Sequence, residues 1–260
     1  MKIDFTDRRI LVTGSTGGIG LAIAKGFAAA GASVVINGRS ETGVSDAISR
    51  LGMPNVTGFA GDMARAEACR QVVEAHPDID ILVNNLGHYE SKDFFDITDD
   101  DWDTIFQSNV MSGVRLSRAY GRAMAERNWG RIVFVSSESA INIPVDMIHY
   151  GFTKTAQLAI SRGLAKRFRG TGVTVNAVLP GPTLSEGVAD LLRASVETSG
   201  DSLEKVAADF IAEHRSSSIL RRAASPEEIA NMVIYVCSQQ ASATTGAALR
   251  VDGGIIESLG

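Results

Sequence analysis

The sequence predicts an α/β fold: a doubly wound, seven-stranded parallel sheet in a single domain. Three observations predict it. Short β-branched runs alternate with helical patterns along the chain, the order that right-handed βαβ crossovers require. The runs are nearly all apolar, as expected of strands covered by helices on both faces. The 260 residues suit one large α/β domain or two small ones, and no repeat, low-complexity segment or Pro/Ser-rich linker divides them.

The elements follow in order. RRILVT (8–13) reads as a strand, 20–31 as a helix closed by Gly31, and SVVING (33–38) as the second strand. A helix over 41–51 leads to strand NVTGFA (55–60), and a helix over 65–75 to strand DILVNN (80–85). One long amphipathic helix is expected from Thr98 to Arg127. GRIVFVSS (130–137) is strand five, a helix spans His149 to Arg169, and GVTVNAVLP (172–180) is strand six. Ser225, Pro226 and Glu228 give the next helix an N-cap, a proline at its first position and a capping-box glutamate. GAALRVDGG (246–254) supplies strand seven. The Ser- and Ala-rich stretch 182–218 interrupts this rhythm. Ligands in such folds bind beyond the strand C-termini, so residues 184–215 are the expected substrate lid.

Composition excludes several classes. The formal charge is −5, and no Lys/Arg stripe alternates with aromatics, so nucleic acid is not an expected partner. The basic cluster AKRFRG (165–170) reads as a solvated helix end. Cys69 and Cys237 form no metal-spaced set or disulfide framework and read as buried thiols, so no metal is expected. The N-terminus lacks the apolar core of a signal peptide, and Lys25 with several glycines breaks the apolar run 21–36, so no membrane span is expected. A cytoplasmic location is the expectation from these missing signals.

Strand one runs directly into TGSTGGIG (13–20) and a helix. Glycines there allow a tight turn and close backbone approach to a pyrophosphate, with helix N–H groups aimed at it. No Gly-Lys-Ser/Thr follows, so this is not a P-loop. A Rossmann-like dinucleotide turn is the expectation. In YGFTK (150–154), Tyr150 and Lys154 stand at i and i+4 and can share one cleft. A free tyrosine titrates at about 10, too high for a base near neutrality, and a neighbouring ammonium favours the phenolate.

Thr13, Gly14, Gly18 and Gly20 match T-G-x-x-x-G-x-G, so the chain resembles the compact branch of the short-chain dehydrogenase/reductase family. Gly17 also allows G-x-x-G-x-x-G, the form of the extended branch. The length, the thirteen-residue spacing from Ser137 to Tyr150 and the terminal VDGG favour the compact branch. NNLG (84–87) resembles the family's N-N-A-G, with Leu86 replacing alanine, and PGPT (180–183) resembles its P-G segment.

The resemblance implies a catalytic set of Asn109, Ser137, Tyr150 and Lys154, with Ser136 structural. Ser137 would bind the carbonyl oxygen and Tyr150 would donate the proton. Lys154 would lower the Tyr150 pKa and hold the nicotinamide ribose. Asn109 would position a water. It further implies cofactor contacts from Gly14, Ser15, Thr16, Gly18, Ile19, Gly20, Arg39, Asp62, Met63, Asn85, Gly87, Tyr150, Lys154, Pro180, Gly181 and Thr183. At the end of strand two, Gly38 and Arg39 replace the aspartate usual in NAD-dependent members, which favours NADP(H) over NAD(H). Many NADP-preferring relatives carry a second Lys or Arg where this chain has Gly17.

The implied activity is alcohol–carbonyl interconversion by hydride transfer. Rival readings are a cofactor-retaining epimerase or dehydratase, and a non-catalytic nucleotide sensor or scaffold. Ile141, Ile143, Pro144 and Met147, with His88 and Tyr89, suggest an apolar pocket for a mid-sized carbonyl or alcohol. His149 reads as a packing or surface histidine. The helices 98–127 and 149–169 and the tail 250–260 resemble family subunit interfaces, so a homotetramer or dimer is expected.

Overall fold

The computed structural model describes residues 3–259. Within them lie strands β1 (Arg9–Val12), β2 (Ser33–Gly38), β3 (Val56–Ala60), β4 (Ile81–Asn84), β5 (Gly130–Val135), β6 (Val173–Pro180) and β7 (Ala248–Val251). They form one sheet in the order β3-β2-β1-β4-β5-β6-β7, parallel at every pairing. The winding reverses between β1 and β4, which opens a crevice at their C-terminal ends.

The helices are α1 (Gly18–Ala29), α2 (Glu41–Leu51), α3 (Ala66–Ala75), α4 (Asp99–Phe106), α5 (Ser112–Glu126), α6 (Ile148–Arg167), α7 (Glu186–Ser199), α8 (Leu203–His214) and α9 (Pro226–Cys237). Alternate residues of each strand serve opposite faces. Ile10 and Val12 pack with Ile23 and Phe27 of α1, Val44 of α2 and Val233 of α9. Leu11 packs on the other face with Val72 of α3 and with Leu116 and Tyr120 of α5. This double burial explains the continuously apolar strands. Cys69 and Cys237 are buried free thiols.

Two of these elements differ from the sequence expectation. The helix over 98–127 is not uniform: Gln107–Met111 form a π-helical turn between α4 and α5, centred on Asn109. Strand seven is shorter than 246–254, because Gly246, Gly253 and Gly254 adopt positive φ and turn the chain at both ends. Residues 184–215 fold as a helical hairpin, α7 and α8, joined through Gly200 at φ 72°. The capping box at Ser225 and Glu228 forms as expected, with Pro226 opening α9. Gly260, the last residue of the tail, lies outside the described residues. Among the described residues no helix is long and apolar enough to cross a membrane.

Candidate active site

The turn after β1 is shaped by two glycines. Gly14 sits at φ 59°, in the left-handed region. A Cβ at Gly20 would lie 2.5 Å from Asn85 Nδ2 and from the Gly14 carbonyl oxygen, so only glycine permits this packing. The Asn85 amide donates to the carbonyl oxygens of Thr13 and Gly14, both at 2.9 Å, and locks the loop to the end of β4. The N-cap of α1 is Gly17, and no side chain caps this end. Its first-turn N–H groups suit an anionic ligand.

A cleft of about 540 Å³ opens over this turn, lined by Gly14, Thr16, Gly18, Ile19, Gly20, Arg39, Asp62, Met63, Asn85 and Gly87. Its shape and donors fit a dinucleotide. Ser15 is a correction: its hydroxyl is fully buried, donates to the Val12 carbonyl at 2.7 Å and accepts from the Asn37 N–H at 2.9 Å. It braces the turn from behind and does not line the cleft. Among the described residues, no group of three His, Cys, Asp or Glu side chains could hold a metal ion.

Arg39 is exposed at the end of β2 and makes no hydrogen bond or ion pair within the described residues. A second guanidinium escaped the sequence reading. Arg50, near the end of α2, donates to the Thr16 carbonyl and pairs with Glu186 at 2.8 Å. No motif marks it, because only the packing of α2 beside α1 brings it to the loop.

At the other end of the crevice, Ser137 follows β5, and Tyr150 and Lys154 rise on successive turns of α6. All three line a second cavity of about 360 Å³, together with Pro180, Gly181 and Thr183. That cavity shares Ile19, Asn85, Gly87, Tyr89 and Ser185 with the first cleft. Tyr89 meets Tyr150 edge-on, with centroids 6.3 Å apart. Ser136 donates to the Lys154 carbonyl at 2.9 Å and fixes α6 against β5. The Thr183 hydroxyl donates to the Gly181 carbonyl at 2.9 Å, so it meets a ligand as an acceptor.

The protonation pattern reverses one expectation. Tyr150 keeps part of its surface open to the cavity, yet desolvation of the phenolate raises its pKa to about 12, with a Ser137 hydrogen bond pulling the other way. Lys154 is 3% exposed and donates to the Val135 carbonyl at 3.0 Å, with Nζ 5.5 Å from the Tyr150 ring centroid. Burial lowers its pKa to about 7. Burial thus dominates at both groups, and Tyr150 shows no lowering by the Lys154 charge.

Asn109 occupies the π turn. Its amide donates to the His88 carbonyl at 2.8 Å and to Thr153 Oγ1 at 3.0 Å, while its Oδ1 accepts from the His88 N–H at 2.7 Å. Its main-chain carbonyl accepts from Gln157 at 2.6 Å. The side chain therefore bridges the segment after β4 to α6 and lines neither cavity. His149 is buried with its ring against Trp102, outside both cavity walls.

The apolar wall is not the one expected. Ile141 and Ile143 are each 46% exposed, and Ile143 lies over the outside of α6 at Gly151. Of the four apolar residues named from the sequence before Tyr150, only Met147 lines the cavity. Ile19, Val188, Leu192, Ala207, Phe210 and Ile211 supply the rest. One polar element also lies there: Arg215 Nε donates to Glu138 Oε1 at 2.9 Å.

Comparison with known proteins places this geometry. A family model described as enoyl-(acyl carrier protein) reductase matches residues 14–256. The uncharacterised oxidoreductase YvaG of Bacillus subtilis (strain 168) is 45% identical over 263 aligned residues, covering 100% of both chains. A solved short-chain dehydrogenase/reductase family protein superposes with a TM-score of 0.83 at 34% identity, covering 98% of each chain. The L-sorbose reductase of Gluconobacter frateurii, solved with NADPH and L-sorbose, gives a TM-score of 0.90 at 30% identity over 100% of both chains. The chain belongs to the short-chain dehydrogenase/reductase family of oxidoreductases.

Proposed function

We propose that the chain interconverts an alcohol and a ketone or aldehyde with NADP(H), using Tyr150 as the acid–base group. One observation carries this reading: Ser137, Tyr150 and Lys154 line a cavity that merges with the glycine-rich cleft through Ile19, Asn85 and Gly87. A hydride donor in the cleft would meet a carbonyl beside Tyr150.

NADP(H) supplies or accepts the hydride. Gly14, Gly18, Gly20 and the α1 N-terminus would hold its phosphates, Asp62 and Met63 its adenine end, and Pro180, Gly181 and Thr183 its nicotinamide end. Arg39, exposed and without a protein partner among the described residues, suits a 2′-phosphate. The NADPH bound by the L-sorbose reductase supports this choice.

Ser137 would hold the carbonyl oxygen and leave Tyr150 to transfer the proton. Tyr150, protonated near neutrality, is in the form that donates in the reductive direction. Lys154, with Nζ beside Gly87, would hold the nicotinamide ribose and supply protons from the buried side. Asn109 fixes α6 relative to β4 and keeps these groups in register. The α7–α8 hairpin acts as the lid, with Leu192, Phe210 and Ile211 against the apolar body of a mid-sized substrate. The exposed Phe152, beside Trp102 and Phe106, supports subunit contacts through α4 and α6, for which sedimentation is the check.

The test is NADPH oxidation across a panel of ketones and aldehydes. Net oxidation with at least one carbonyl is the expected result. Protein that retains coenzyme without net turnover would favour an epimerase or dehydratase. Binding without any reaction would favour a sensor.

A further inference from the structure

We propose that Arg50 is the second cation for the 2′-phosphate of NADP(H), and that Glu186 competes with that phosphate for it. The inference rests on the NADP(H) reading above.

A phosphate monoester near neutrality carries close to two negative charges and several strong acceptor oxygens. One exposed arginine at the end of β2 leaves part of that charge unmatched. In the glycine-rich loop, Gly17 lines the same cleft as Arg39 and carries no side chain. The structure brings Arg50 there from another helix. Thr16 is the junction. Its Cγ2 lies 2.4 Å from where a Cβ on Gly38 would stand, so Thr16 rests against the residue before Arg39. Its carbonyl accepts the Arg50 guanidinium. Arg50 thus holds the main chain of a loop residue whose side chain rests against Gly38, the neighbour of Arg39. The Thr16 carbonyl occupies one donor of Arg50 and fixes the guanidinium plane, which leaves the rest of the fork for an anion.

The anion that Arg50 meets in this structure is protein-borne. Glu186, first residue of α7, places Oε1 2.8 Å from Arg50 Nη1. Its Oε2 lies 3.0 Å from where a Cβ on Gly17 would stand. A carboxylate therefore sits on the position that lacks a basic side chain. The side chains are 46% and 64% exposed, so the pair is a surface ion pair of small net value. A phosphate, with more charge and more acceptors, can take the guanidinium from it. Because Glu186 begins the α7–α8 hairpin, the exchange would bear on the lid as well as on coenzyme affinity.

The two partners make opposite demands, and this separates the proposal from a purely structural clasp. Titrate NADPH and NADH, by nucleotide fluorescence, into wild type, Arg50→Gln, Arg50→Lys and Glu186→Gln. Arg50→Gln should weaken NADPH about tenfold, as loss of a charge-assisted hydrogen bond does, while NADH changes less than about twofold. Arg50→Lys should fall between wild type and Arg50→Gln. Glu186→Gln should tighten NADPH and leave NADH unchanged. The NADH arm shows whether each variant remains folded. If Arg50→Gln and Glu186→Gln shift both coenzymes in the same direction, the pair is only a clasp and the proposal fails. It fails equally if wild type prefers NADPH and Arg50→Gln leaves that preference intact. A wild type that prefers NADH overturns the NADP(H) reading itself, and the proposal with it.

Discussion

Arg215 donates to Glu138 at 2.9 Å, and so ties the end of α8 to the residue that follows Ser137. The Glu138 side chain is 3% exposed and that of Arg215 19%. Oε1 also accepts from the Ser139 hydroxyl at 3.1 Å, while Oε2 has no hydrogen-bond partner among the described residues. The carboxylate is buried, and Arg215 is its one cationic partner among the described residues.

Removing only the cation should therefore be costly. Arg215→Leu strands the carboxylate and should destabilise the fold by about 3 kcal/mol, the range for breaking a buried pair. Arg215→Leu combined with Glu138→Leu should recover most of that loss, since no charge remains to be solvated. Urea unfolding of the four proteins of this cycle measures the coupling. A double variant no more stable than Arg215→Leu would show that the pair is not the source of the cost.

Lys154 gives a pH dependence with a definite sign. Its pKa is about 7 in the fold, against 10.5 when free. Between those values the unfolded chain binds the extra proton, so this group's contribution to stability rises with pH through that window. Below about pH 7 the burial penalty is present in full. Tyr150 acts in the opposite sense only at higher pH, from its free value of 10.0 to about 12. Lys154→Met should gain most over wild type at pH 6 and lose that advantage by pH 10. Unfolding free energies at pH 6, 8 and 10 provide the check. A wild-type-minus-variant difference that is flat with pH would contradict it.

Asn109 should behave as a positioning residue. Asn109→Ala loses three hydrogen bonds, to the His88 N–H and carbonyl and to Thr153. A destabilisation of about 2–3 kcal/mol is expected, with a lower kcat. Thr153→Val removes only one of the three and should cost about 1 kcal/mol. Unfolding and steady-state kinetics on both variants decide this. Equal losses would place the effect elsewhere.

The strands were legible because both faces of the sheet are apolar, and helix ends such as Ser225 because capping chemistry is local. Gly14, Gly20, Tyr150 and Lys154 could be picked out by spacing, since they lie at a strand end or on one helix face, and Ser137 through the family resemblance. What spacing could not reveal was contact across the fold. Arg50 reaches the glycine turn only through the packing of α2 beside α1. Arg215 reaches Glu138 across 77 residues of sequence. Ile141 and Ile143 precede Tyr150 in sequence but are half-exposed and line no part of the cavity, so nearness in the chain misled where the pocket wall was concerned. The π turn at Asn109 gives no propensity signal, because an amphipathic pattern continues through it. The raised pKa of Tyr150 depends on burial, which the Tyr150–Lys154 spacing does not encode.

The proton-transfer role of Tyr150 is the central claim, and one comparison tests it most directly. NADPH should be titrated into wild type and Tyr150→Phe, and its oxidation followed with the best carbonyl from the panel. Coenzyme affinity should stay within about twofold, while turnover falls by at least about 100-fold, the lower range for losing a general acid. A Tyr150→Phe protein that binds NADPH normally and keeps most of its turnover would contradict it.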